Sequence, residues 1–129
     1  MTKLQKDTIK NWLKSAEEDR KTAMDLFKLK RYGWSLFVFH LAIEKLLKAH
    51  LARQDKEVIF THKLVKLARL ANLEITEKQK SQLAEISEYN IEARYDIEKM
   101  AFYKKADKIY TQRWLKICQE IYLWLRKML

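Results

Sequence analysis

The chain has 129 residues, no proline, one glycine, one cysteine and a formal net charge of +10 at pH 7. Strand-and-turn folds draw on glycine and proline for their turns, and disulfide scaffolds need paired cysteines, so both classes are excluded. The length suits one domain, residues 1–129, with a core large enough to need no metal or disulfide staple.

Cys118 stands alone, which fits a reducing compartment. The opening MTKLQKDTIKNW is polar and unlike a signal peptide, and no apolar run reaches the roughly 18 residues of a membrane span. The expectation is a cytoplasmic protein with no membrane partner. Charge is uneven: residues 1–56 carry +6, residues 57–98 carry −2, and residues 99–129 carry +6. A basic closing quarter favours nucleic acid, nucleotide or an acidic protein, against the plainer reading of a solvated lysine surface.

In chain order, Ile9, Trp12, Leu13, Ala16, Ala23 and Phe27 trace one face of a helix over about residues 7–30. Asp7 could cap its start, and Gly33 in KRYGW marks a stop and restart. The second helix, about 34–53, is apolar around most of its circumference, through Trp34, Phe37, Phe39, Leu41, Ile43, Leu46, Leu47 and Leu51. Such a helix is buried on several sides, as the centre of a bundle and half of a dimer interface.

THKLVKLARLANL (61–73) gives a third helix with Thr61 as cap, and TEKQ (76–79) is a capping box that opens a fourth, running to about Glu92. ARYDIEKMAFYKKAD (93–107) breaks the periodicity and reads as a loop or bent link. Ile109, Trp114, Leu115, Ile117, Cys118, Ile121, Tyr122 and Leu125 define a last helix over about 107–128. The fold class is all-α: an antiparallel up-and-down bundle of about five helices.

Within the greasy second helix sit His40, Glu44 and Lys45. A buried carboxylate needs a partner. Lys48 is one at i,i+4, and Arg94, from the same or an opposing subunit, is the other expected one, with Lys45 reaching towards the rim. His40 shares a face with Glu44 but no third ligand follows at a metal-binding spacing, so His40 reads as a packed histidine with one hydrogen bond and no metal is expected. His62 reads as a helix-opening turn residue. Lys99, Lys104, Lys105 and Lys108, with Tyr103 and Tyr110 among them, form a basic-aromatic strip that could clamp phosphates and stack bases, or remain a solvated face.

FHLAIEKLLKAHL (39–51), THKLVKL (61–67), ARYD (93–96) and FYKKADKIYTQRWLKICQEIYLWL (102–125), preceded by WLKSAEEDRKTAMDLF (12–27), together resemble the HEPN domain family. The resemblance implies a small helical bundle that dimerises, often beside a minimal nucleotidyltransferase as a toxin–antitoxin pair. Other members are metal-independent ribonucleases, or bind nucleotides. Their ribonuclease motif is an arginine followed after four to six residues by a histidine, often with a tyrosine three beyond. Arginine stabilises phosphate charge, and histidine exchanges a proton with the 2′-hydroxyl.

Counted from Arg94, that histidine slot holds Lys99, Met100 or Ala101. With Met100 in the slot, Tyr103 takes the tyrosine position, a modification target in some toxin members when the partner transferase adds AMP. Methionine cannot shuttle protons, so a binding module without a cofactor is the expectation. The alternative is a degenerate ribonuclease built from Arg94, Tyr95, Asp96 and Tyr103. Lys45, Lys99, Lys104, Lys105 and Lys108 would then meet RNA, nucleotide or the partner, with Glu44 and His40 structural.

Overall fold

The computed structural model describes residues 1–129 and contains six α-helices and no strand. They are α1 (Lys3–Lys28), α2 (Tyr32–Arg53), α3 (Leu64–Leu70), α4 (Glu77–Ser87), α5 (Asp96–Lys105) and α6 (Lys108–Lys127), with a single 3₁₀ turn at Ile91–Ala93.

The apolar second helix is the axis of the fold. Fifteen residues of α2 are buried, against two of α1, so α2 is enclosed while α1 lies across its outside. The two are antiparallel. Gln5 Nε2 donates to the Ala52 and Arg53 carbonyls at one end, both at 3.0 Å, and Ser35 Oγ donates to the Ala23 carbonyl at 2.6 Å at the other. On another side, α6 brings its C-terminus to that of α2. His50 Nε2 lies 2.9 Å from the Leu125 carbonyl, and Arg53 donates to the Met128 carbonyl. Tyr122 of α6 donates to Glu17 of α1 at 2.8 Å, and the Arg20 guanidinium pairs with the same carboxylate at 2.6 Å. These bonds hold the Glu17 carboxyl down to about 2, with the Arg20 contact dominant.

The core runs from Leu36, Phe39, Ile43 and Leu47 of α2 to Leu64 and Leu67 of α3, Leu83 and Ile86 of α4, and Leu115, Cys118 and Leu125 of α6. Tyr89, fully buried, is ringed by Phe102, Tyr110 and Trp114, and its hydroxyl meets that of Tyr110 at 2.7 Å. A buried tyrosine is stable only with its hydroxyl satisfied. No helix is long and apolar enough to cross a membrane.

Several boundaries differ from the sequence reading. The first helix begins earlier, capped by Thr2 rather than Asp7. The expected capping box at Thr76 and Gln79 is present, with both reciprocal bonds. Thr61 does not cap α3; the Leu64 amide is satisfied from a distance by Ser87 Oγ at 3.0 Å. Residues 96–105 form α5 rather than a link; the helix leaves no periodic signal because Phe102 alone anchors it to the core.

Gly33 is not the helix stop but the second residue of α2. A Cβ there would stand 2.7 Å from the Tyr103 ring, so the glycine makes room for α5. The stop is at Lys30 (φ 63°), and α2 and α3 end the same way at Asp55 (φ 54°) and Asn72 (φ 55°). Each is followed by the same pair of bonds: Arg31 to Leu26 with Lys30 to Phe27, Lys56 to Leu51 with Asp55 to Ala52, and Leu73 to Ala68 with Asn72 to Arg69. This closure usually uses glycine, whose absence of Cβ permits the left-handed conformation. Asn and Asp tolerate it; lysine does not have their local hydrogen bonding.

Replacing Lys30 by glycine should therefore stabilise the fold by up to about 1 kcal/mol. Urea unfolding would show a higher midpoint with an unchanged slope; a lower midpoint would contradict the strain at this position.

Candidate functional site

The polar centre of the molecule is Glu44. Its carboxylate, on the middle of α2, is almost fully buried. Lys48, one turn later, donates to Oε2 at 2.9 Å, and His62 Nδ1 reaches Oε1 at 2.7 Å from the segment between α2 and α3. His40 Nε2, one turn before, lies 3.8 Å from the same Oε1. The three ligand-type atoms of His40, Glu44 and His62 fall within 4.8 Å of one another.

Burial works to raise the Glu44 carboxyl, but the hydrogen bonds from Lys48 and His62 outweigh it and hold it below its ordinary value. Burial pushes His40 down to about 4, so its ring is neutral at pH 7. Neither ring nitrogen of His40 reaches a hydrogen-bond partner, though the backbone of His62 and Phe37 passes close by. Its ring stacks on Phe37 at 6.2 Å and lies 6.2 Å from that of His62. The expected single hydrogen bond is therefore not made.

The expected Glu44–Arg94 pair does not form within the chain. Arg94 turns instead to Glu88, bonding its carboxylate at 2.7 Å and its backbone carbonyl, with Glu98 at 4.0 Å. The guanidinium lies 5.9 Å over the Phe102 ring. The helical spacing gave Lys48 correctly as one partner of Glu44, but not His62 as the other. His62 is 18 residues away across the α2–α3 connection, and no helical spacing relates them.

The other candidates are spread over one side of α5. Tyr95 caps α5 and is exposed, as is Asp96, the first helical residue. Tyr103 lies beside Gly33 and packs on Phe102, as Arg94 does from another direction. Arg94, Tyr95, Asp96 and Tyr103 thus border one region without converging on a point. Lys45 does not reach the rim: its ammonium is 2.6 Å from Asp19 Oδ2 and ties α2 to α1. Lys105 bonds Glu85 at 2.7 Å and sits 5.2 Å from the Tyr110 ring centre, and the Glu85 bond raises its affinity for its proton. Lys99, Lys104 and Lys108 pair with no acid.

Two features have the form of contact surfaces. A groove of about 510 Å³ runs between the 60–63 segment and the Ser87–Glu98 stretch, with His62, Lys63, Asn90 and Arg94 on its walls. Beside it, α5 turns Ile97 (83% exposed) and Met100 (71%) outward, with Tyr95 and Tyr103 at their flanks. These two residues at i,i+3 place uncovered apolar surface on one helical face.

The chain matches the HEPN domain family over residues 9–128, and it belongs to that family. Its fold is similar to that of TT1696 from Thermus thermophilus, a crystal structure, with a TM-score of 0.77 and 22% identity over 94% of this chain and 98% of that one. No curated protein matches it.

Replacing Glu44 by glutamine leaves the largely buried Lys48 ammonium without a counter-charge and weakens the bond to His62. The expected loss is about 1–3 kcal/mol in urea unfolding at pH 7. An unchanged midpoint would contradict the role given to this carboxylate.

Proposed function

We propose that the chain acts as a homodimeric HEPN module that docks a partner, of the minimal nucleotidyltransferase kind, in a toxin–antitoxin type pair. The observation that carries this reading is the outer face of α5. Ile97 and Met100 stand in water, Tyr95 and Tyr103 flank them, and the unpaired Lys99, Lys104 and Lys108 lie on the same helix and its successor. An apolar centre with a cationic rim is the anatomy of a protein contact whose partner is acidic or carries a nucleotide. Tyr103, at the edge of this face, is the residue that a nucleotidyl-transferring partner would find accessible.

In this reading the chain alone sediments at twice its monomer mass. A double replacement, Ile97→Asp with Met100→Asp, removes self-association or the co-purification of a co-expressed minimal nucleotidyltransferase, while the helical circular dichroism stays. Wild-type mass of one chain, together with no co-purification, would refute the module.

A ribonuclease with an altered site is the second reading, favoured by a specific observation: His62 lines the same groove as Arg94. In this reading His62, from the α2–α3 connection, would stand in for the histidine missing after Arg94. Arg94 would face the phosphate and His62 the 2′-hydroxyl. Cleavage of RNA in the presence of chelator, reduced at least about a hundredfold by either Arg94→Ala or His62→Ala, would establish it. Intact RNA at high protein concentration would dismiss it.

A further inference from the structure

The fold has assembled the third ligand that the sequence did not show. We infer that His40, Glu44 and His62 form a binding site for one divalent transition-metal ion of the zinc type. Two imidazoles and a carboxylate are the donor set such ions prefer, and one that magnesium and calcium do not.

The geometry is close to what an ion requires. Two ligand atoms, each about 2.1 Å from a tetrahedral ion, lie roughly 3.4 Å apart. His40 Nε2 and Glu44 Oε1 are 3.8 Å apart, and the three atoms span no more than 4.8 Å. The His62–Glu44 separation of 2.7 Å is that of a hydrogen bond, so the ion takes the place of the shared proton. The adjustment falls on His62, whose segment between Lys56 and Lys63 carries no helix, while His40 and Glu44 are fixed one turn apart on α2. His62 is partly exposed and borders the groove, which gives the ion a route in.

A second, independent observation points the same way. His40 is wholly buried, and both its ring nitrogens lack a hydrogen-bond partner. Buried polar atoms are rarely left so, and Nε2 stands 3.8 Å from the Glu44 carboxylate oxygen, too far for a hydrogen bond. An ion between them would give both atoms a bond. The neutral form of His40 is the ligating one. Lys48 holds the other oxygen, Oε2, and fixes the carboxylate orientation as an outer-shell partner does. Its positive charge opposes a second cation nearby, so the site binds less tightly than the same three ligands without it. The third histidine, His50, is committed to the Leu125 carbonyl in another part of the core. This site stands apart from the docking surface on α5, and either can fail without the other.

The test uses the full chain after dialysis against chelator. Zinc titrated in a calorimeter should bind at one ion per chain and raise the melting temperature, and cobalt should give the visible absorption of a site with nitrogen ligands. Magnesium and calcium should do neither. His62→Ala, whose side chain is outside the core and whose circular dichroism should match wild type, should weaken zinc at least about a hundredfold. His40→Gln should do the same. The inference is overturned by no heat and no stabilisation up to millimolar zinc. It is equally overturned by zinc binding of wild-type strength in folded His62→Ala, or by magnesium binding as well as zinc.

Discussion

One buried carboxylate organises the molecule. Glu44 sits in the middle of the helix that every other long helix packs against, where an uncompensated charge would cost several kcal/mol. Lys48 supplies the compensation from the same helix and His62 from a different segment. The second partner matters more to the shape. It draws the connection after α2 back onto the helix, and so sets one wall of the groove whose opposite wall carries Arg94. A local electrostatic need thereby fixes where a surface feature lies.

Arg94 belongs to a separate network. Glu88 and Phe102 hold it at the junction of α4 and α5, so its charge is partly spent on keeping that corner together. The same corner carries the aromatic cluster around Tyr89. Behind it lies the buried core. In front of it α5 buries Phe102 alone and leaves Ile97 and Met100 to water. A helix held by one buried side chain thus leaves a patch of apolar surface in water.

The bundle and its central helix were legible because α2 is apolar on nearly every side and the chain has no proline. The capping box at Thr76 was legible because it is a local pattern read within four residues. The stops were not. They fall on Lys30, Asp55 and Asn72, residues without the signature of glycine, and only the backbone angles reveal them. Gly33, the residue that looked like a stop, is explained by the Tyr103 ring 70 residues later. The need of Glu44 for a partner was also legible, and so was Lys48 at helical spacing, but the second partner was not. Arginine is the stronger pairing residue, and Arg94 lay in a segment without periodicity, so it drew the assignment; the folded chain gives the place to His62. Charge counting likewise overstated the free lysines, since Lys45 and Lys105 are spent on Asp19 and Glu85.

The link between Glu44 and His62 is the contact on which the groove, the paired charges and the inferred ion site all turn. Nitrogen-15 shifts of the imidazoles in metal-free protein at neutral pH read it directly. A carboxylate can only accept, so His62 must carry a proton on Nδ1, the nitrogen that free neutral histidine leaves bare in its commoner tautomer. Finding the Nδ1–H form at His62 would support the account; the ordinary Nε2–H form, averaging as an exposed histidine does, would contradict it.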